Sequence, residues 1–134
     1  PLYSSAASDV YKRQVLLHSI ADSILGAAGL GDIGMFFSDQ DNKNKNLDST
    51  LIIEHCLNEL NKMDLEIYNI DTTIICENPK INPHREKILE NLSAILKVPI
   101  KKIGLKATTS EKIGIIGNNE AISVQSIVNL KDIS

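Results

Sequence analysis

The segment EIYNIDTTIIC, residues 66–76, constrains the fold of this chain more than any other. It first alternates polar and apolar residues and then becomes a continuous β-branched and apolar run, a pattern typical of a strand whose second half is buried. Residues 103–107 and 121–130 predict two further strands. Three strands make a thin sheet, which invites a further partner.

Three segments with helical spacing accompany these strands. The first covers residues 15–28 and ends at a pair of nearby glycines. The second begins at an N-cap, Asp48 or Ser49, and the third opens at Asn82 with Pro83 as its first helical residue. The order helix, helix, strand, helix, strand, strand is compatible with an α+β fold or an α/β sandwich. We expect the α+β fold, in which a small mixed sheet packs against helices on one face.

Composition favours a soluble globular domain. The 134 residues suffice for one core, and the net charge of -3 with scattered lysines offers no basic face for nucleic acid. No apolar run approaches the ~20 residues that a membrane span needs. Cys56 and Cys76 are far apart and lack CxxC spacing, so a reducing cytoplasm is the simpler interpretation.

Residues 1–14, PLYSSAASDVYKRQ, have a different character. They are rich in small polar residues, show neither helical nor strand periodicity and end in a basic stretch. We therefore expect a flexible leader over 1–14 and a folded domain over 15–134.

His18 and Asp22 form the first candidate for chemistry. Four residues apart on a helix, they leave the same face, where a carboxylate can orient an imidazole that binds a metal. An ordinary surface pair has the same spacing, so both interpretations stay open. His55, on an apolar helix face, is predicted to be a packed side chain, and His84 a solvated one.

Polar loops supply the other candidates. Asp32, Asp39 and Asp41 lie on a loop with Gly34 and could bind a hard cation or sugar-like hydroxyls, or form a hydrated acidic turn. Residues 106–111, KATTSE, place a cation, three hydroxyls and a carboxylate at a strand's end, which suits a diphosphate with magnesium but also an ordinary Thr-rich turn.

The range from Val15 to about Leu130 contains the segments VLLHSIADSILGAAGLGDIGMFF, SDQD, the PK of ENPKINPH, and KATTSEKIG followed by GNNEAIS. Taken together, these segments resemble the 2-C-methyl-D-erythritol 2,4-cyclodiphosphate synthase family over that range.

The resemblance implies a cytoplasmic enzyme, of a bacterium or a plastid, in the non-mevalonate isoprenoid pathway. Such an enzyme is a homotrimer with active sites between subunits. Its zinc ion and a magnesium or manganese ion help the 2-phosphate of the substrate attack its own β-phosphate and expel CMP. Neither nucleic acid nor membrane is an expected partner.

The resemblance also implies residue roles. Thr109 and Asp22 match catalytic positions, and His18 and Glu111 match metal ligands. The positions that match substrate contacts are Asp32, Ile33, Gly34, Phe37, Asp39, Asp41, Cys76, Asn78, Pro79, Lys80, Ile81, Asn82, Thr108, Ser110, Ile115 and Asn118.

The chain departs from the family pattern at its start. The family carries an Asp-x-His motif on an early strand, which supplies two further zinc ligands, and a His-Ser-Asp-Gly-Asp segment where this chain has VYKRQ at 10–14. Asn118 and Ile115 stand where many relatives carry Arg and Phe. We therefore expect weak zinc binding and little turnover. The alternative is a catalytically dead chain that still binds cytidine diphosphate (CDP) or oligomerises.

Overall fold

The computed structural model describes residues 5–38, 40, 47–77, 82–109, 111–117 and 121–133, without the side chains of 5–10 and 82. Within these ranges the predicted α+β order is confirmed, with two short helices added inside the loops. The helices are α1 Ser5–Ala27, α2 Ile33–Phe36, α3 Ser49–Lys62, α4 Arg85–Leu96 and α5 Gly114–Gly117; the strands are β1 Leu65–Ile75, β2 Ile103–Thr108 and β3 Ser123–Asp132.

The described strands form one mixed sheet in the order β2-β1-β3. Strand β1 pairs in parallel with β2 and antiparallel with β3. The central position of β1 explains its continuous apolar run, because a strand with neighbours on both edges and helices above it is the most deeply buried. Tyr68 marks an irregularity in the pairing of β1 with β3, between Ile67 and Asn69.

Alternate residues of β1 enter the core. Ile70, Thr72 and Ile74 are buried, whereas Asp71 and Thr73 between them are partly exposed. Ile70 and Ile74 join one hydrophobic cluster with side chains of α1, α3 and α4, including Ile20, Ile24, Ile53, Leu60, Leu92 and Leu96. One sheet face therefore packs on the helices, as the sequence predicts.

Helix α1 is longer than predicted. It begins at Ser5, so the expectation of a flexible leader is wrong for residues 5–14. Lys12 is buried and Arg13 Nη2 donates to Thr50 Oγ1 at 3.3 Å, which attaches this part of the helix to α3. Tertiary contacts of this kind stabilise a helix whose apolar periodicity is weak. A domain boundary at residue 15 stays a prediction.

Of the two helix N-caps that the sequence predicts, one is where it is expected and one is not. Asp48 caps α3 as predicted, since its carboxylate accepts the Thr50 amide at 2.9 Å. Asn82 was predicted to cap the next helix, and this is wrong: Asn82–His84 form a 3-10 turn, and α4 starts at Arg85 with His84 as its N-cap.

Over the described residues, none of the helices combines the length and apolarity that crossing a bilayer requires.

Candidate functional site

Helix α1 and the amino end of strand β3 line a cleft of about 550 Å³. It contains both residues of the predicted i,i+4 pair, and His18 and Asp22 are each exposed. Its lining is Val15, His18, Ser19, Asp22, Ser23, Val124, Gln125 and Ser126. His18 lines this cleft and is exposed, so its side chain does not pack into the core.

Asp22 ties α1 to the first long loop. Its Oδ1 accepts a hydrogen bond from the backbone amide of Ile33 at 2.8 Å, which holds the segment of Asp32 and Gly34 beside Asp22, a residue of the cleft. Asp32 is the N-cap of α2 and accepts the Met35 amide at 3.2 Å. Both carboxylates are therefore held by backbone donors, with oxygen lone pairs remaining for a ligand.

The two phenylalanines after this segment fasten it to helix α3. The Phe36 and Phe37 rings lie 4.7 Å and 5.1 Å from the His55 ring, centroid to centroid. The prediction that His55 packs with apolar neighbours is confirmed, and His84 is exposed as expected. Ring contacts of this kind hold the loop without a regular strand or long helix.

Strand pairing brings the segments that follow β1 and β2 to one end of the sheet. Ile75 is opposite Thr108 of the parallel strand and also opposite Ser123 of the antiparallel strand. The carboxyl ends of β1 and β2 and the amino end of β3 therefore lie together. In sheets with parallel strands, the carboxyl ends are the common place for ligands.

Hydrogen bonds donated by backbone amides connect the segments at this corner. The Cys76 amide donates to the Thr108 carbonyl at 3.0 Å, and the Lys112 amide donates to Glu77 Oε1 at 3.0 Å. Thr109 Oγ1 accepts the Glu111 amide at 3.1 Å. The segments that follow β1 and β2 are thus hydrogen-bonded to each other.

The turn after β2 is strained. Glu111 and Lys112 have φ angles of 53° and 64°, a left-handed conformation that costs non-glycine residues about 1 kcal/mol or more each. Gly117 closes the same turn so tightly that a Cβ there meets the Lys112 carbonyl carbon at 2.0 Å. The turn thus places Glu111 at the surface beside the end of β2, with its side chain exposed.

The two cysteines are protonated thiols at neutral pH. Burial raises the pKa of Cys76, and the nearby Lys12 charge only partly opposes this effect. Burial, reinforced by the Asp22 charge, raises the pKa of Cys56 from 9.0 to about 12. Since the thiolate is the nucleophile, neither residue is suited to covalent catalysis, and Cys76 is better suited to form a pocket wall.

Metal ligands are sparse in the part of the chain that the structure describes. It contains no group of three or more His, Cys, Asp and Glu side chains arranged to hold an ion. Catalytic zinc normally has three protein ligands, so His18 with Asp22 does not complete such a site. Glu111 fits magnesium better, because that ion often takes one or two carboxylates and completes its shell with water and phosphate.

Several predicted contacts are not described. Asn82 lies in the 3-10 turn and Ile115 is exposed in α5, but their roles are untested. The predicted residues outside the described ranges are Asp39, Asp41, Asn78, Pro79, Lys80, Ile81, Ser110 and Asn118.

Sequence reasoning missed part of the site. Ser19 and Ser23 line the cleft, and their spacing beside His18 and Asp22 could have revealed them. Gln125 and Ser126 come from a strand whose pairing was unknown, and Glu77 holds a loop 35 residues away.

Comparison with known proteins identifies the family. A profile of the YgbB family matches residues 4–131, nearly the whole chain. This chain belongs to the YgbB family. The resemblance to cyclodiphosphate synthases is thereby confirmed, and the match includes residues on both sides of the predicted boundary at residue 15.

Relatives of this YgbB-family chain have two lengths. It is 46% identical over 117 residues to "Bifunctional enzyme IspD/IspF" of Aliarcobacter butzleri, and the aligned region covers 87% of the chain and 31% of that protein. It is 49% identical over 113 residues to "2-C-methyl-D-erythritol 2,4-cyclodiphosphate synthase" of Clostridium perfringens, covering 84% of the chain and 72% of that protein. The chain thus spans about a third of the bifunctional relatives.

Solved structures agree with the fold. The bifunctional IspDF of Campylobacter jejuni superposes with a TM-score of 0.82 at 40% identity, covering 88% of this chain and 32% of that one. The Plasmodium falciparum IspF in complex with CDP superposes with a TM-score of 0.79 at 34% identity, covering 90% of this chain and 72% of that one.

Proposed function

We propose that this chain binds 4-diphosphocytidyl-2-C-methyl-D-erythritol 2-phosphate and cyclises it to 2-C-methyl-D-erythritol 2,4-cyclodiphosphate with release of CMP. The observation that carries the proposal is the corner where the ends of β1 and β2 are bonded through Cys76 and Thr108. A relative of this fold holds CDP, which is the nucleotide part of this substrate.

The reaction is an internal phosphoryl transfer. An oxygen of the 2-phosphate attacks the β-phosphorus, so that one P–O bond forms. The bond from the β-phosphorus to the bridging oxygen breaks, and CMP leaves with the bonding electron pair. Catalysis of such a transfer consists mainly of positioning and of stabilising charge on the phosphoryl oxygens.

Two regions of the chain divide the substrate between them. Residues 76–82 and 108–111 hold the cytidine diphosphate part, with the neutral Cys76 thiol against it. Thr109 accepts the Glu111 amide through a lone pair, so its hydroxyl proton can be donated to a phosphate oxygen. The cleft of His18, Asp22 and the 32–34 segment holds the methylerythritol part, whose hydroxyls suit the Asp32 carboxylate.

Magnesium or manganese belongs at Glu111 in this proposal. Such an ion supplies charge neutralisation at the diphosphate. His18 is the one zinc ligand that the resemblance assigns in this chain, and because the described donors do not complete a zinc site, we assign zinc no step.

The homotrimer with sites between subunits is also proposed, within the cytoplasm or a plastid. Its support is the sheet face opposite the helices. That face carries the Asp71–Lys106 ion pair at 2.8 Å and, opposite Asp71, the exposed Ile127. Among the described residues no helix covers this face, and a face with an exposed isoleucine is suited to subunit contact.

Phosphorus NMR of the substrate with the full chain and Mg²⁺ tests the proposed reaction. We expect CMP and the cyclic diphosphate to appear slowly and in equal amounts, in line with the weak zinc binding expected of this chain. Thr109→Val should be about 10- to 100-fold slower still, because the phosphate loses a donor. Thr50→Val, which removes a hydroxyl on α3, is the matched control and should leave the rate unchanged. CDP binding without CMP release would contradict catalysis and leave a binding function.

A further inference from the structure

Three hydroxyls join the centre of the sheet to helix α1 at the cleft. Thr72 Oγ1 on β1 lies 3.0 Å from Ser126 Oγ on β3, and Ser126 Oγ lies 2.9 Å from Ser19 Oγ on α1. Thr72 is fully buried, with 0% of its surface exposed. A backbone carbonyl lies at each end of this row of three hydroxyls: Gln125 O is 3.3 Å from Thr72 Oγ1, and Val124 O is 3.3 Å from Ser19 Oγ.

All three hydroxyl protons can be used at once. In one arrangement Thr72 donates to Ser126, Ser126 donates to Ser19, and Ser19 donates to the Val124 carbonyl. In the other, donation runs in the opposite direction and ends at the Gln125 carbonyl. In either direction each hydroxyl donates one bond, so no buried proton is left unpaired. Ser126 is the central member, and its loss interrupts both directions.

A second contact one helical turn along fixes the same helix. Ser23 Oγ lies 2.8 Å from the Ser126 carbonyl oxygen and 2.9 Å from the Ser19 carbonyl oxygen, and its single proton is shared between these two acceptors. Ser19 and Ser23 directly follow His18 and Asp22, and Asp22 holds the Ile33 amide. A continuous path of bonds and neighbouring residues therefore runs from the middle of the sheet to the 32–34 segment.

We propose that the hydroxyl chain of Thr72, Ser126 and Ser19 is a positioning device, which fixes helix α1 on strand β3 and so sets where His18, Asp22 and the 32–34 segment stand in the cleft. Apolar packing alone is non-directional and lets a helix slide on a sheet, whereas hydrogen bonds hold one arrangement. The inference rests on the proposed function, which assigns these groups to substrate.

The test compares three variants of the full chain. Ser126→Ala removes the central hydroxyl and keeps the backbone carbonyl that Ser23 uses. Ser126→Thr restores the hydroxyl on a residue that strands favour. Asn129→Ala is the matched control, because it removes a 2.8 Å side-chain bond between β3 and β1 that lies outside the cleft. The readout is the hydrogen-exchange rate of the Ile33 amide by NMR. Urea unfolding measures the global stability of each variant, so that a local effect is distinguished from a general loss of stability.

Ser126→Ala should speed exchange of the Ile33 amide about five- to tenfold beyond any change in the core amides, because the loss of one net hydrogen bond has about this effect. Ser126→Thr should restore the original rate, and Asn129→Ala should not change it. An unchanged rate in Ser126→Ala, or an equal change in Asn129→Ala, overturns the inference. CDP titration of the wild-type chain tests the proposed function separately.

Discussion

Gly117 shows how one residue type can be required by a close backbone approach. A Cβ at this position meets Lys112 Cα at 2.5 Å, and backbone cannot give way as a side-chain tip can. We expect Gly117→Ala to open the turn of Glu111 and to lower the free energy of unfolding by ~1–3 kcal/mol in urea titrations.

Gly26 provides the control for this substitution. It lies in α1 with nothing within 4 Å of its added Cβ, so Gly26→Ala should stabilise the chain by ~0.5–1 kcal/mol. A Gly117→Ala variant as stable as wild type contradicts the close approach.

The Cys56 thiol predicts a loss of stability in alkali. Its pKa rises to about 12 in the folded chain, whereas the unfolded thiol has its ordinary value of 9.0. The unfolded state therefore loses its proton first, and the stabilising contribution of Cys56 declines as the pH rises from about 9 to about 12. Urea unfolding of Cys56→Ala between pH 8 and about 11 should show a smaller decline than wild type; equal slopes argue against this role.

At the scale of elements, the cap of α3 predicts the opposite pH dependence. Hydrogen bonds from the Thr50 amide and hydroxyl lower the pKa of Asp48. Its stabilising contribution is therefore present above the ordinary value of 3.8 and is lost as the pH falls through the lowered folded pKa.

Asp48→Asn separates capping from charge. Asparagine caps as well as aspartate, so α3 should keep its helicity at neutral pH while the acid-dependent loss becomes smaller. Asp48→Ala should lose stability at neutral pH too. Circular dichroism at neutral and acidic pH measures both, and identical acid titrations of wild type and Asp48→Asn would contradict the prediction.

The elements themselves were predictable where one local rule decided them. Strand β1 follows from its β-branched run and α3 from its Asp48 cap, because both signals lie within a few residues. The start of α1 and the contacts of Ser126 were not, since they depend on partners more than 35 residues away in sequence. The short helices α2 and α5 have too few residues for periodicity to show.

At the scale of the whole molecule, the donor set predicts weak zinc binding. A single imidazole leaves most of the ion's coordination to water, so elemental analysis of the purified chain should find well below one zinc per chain. His18→Ala should change that content little. One zinc per chain that disappears in His18→Ala would show that the ligand set is complete.

The central claim is that the ends of β1 and β2 form a cytidine diphosphate pocket, and calorimetric titration of the full chain with CDP tests it most directly. We predict one CDP bound per chain, at least about tenfold more tightly than ADP, because a pocket that hydrogen-bonds one base rejects another. Magnesium should strengthen binding in wild type but not in Glu111→Gln. No binding of CDP, or equal binding of ADP, would contradict the account.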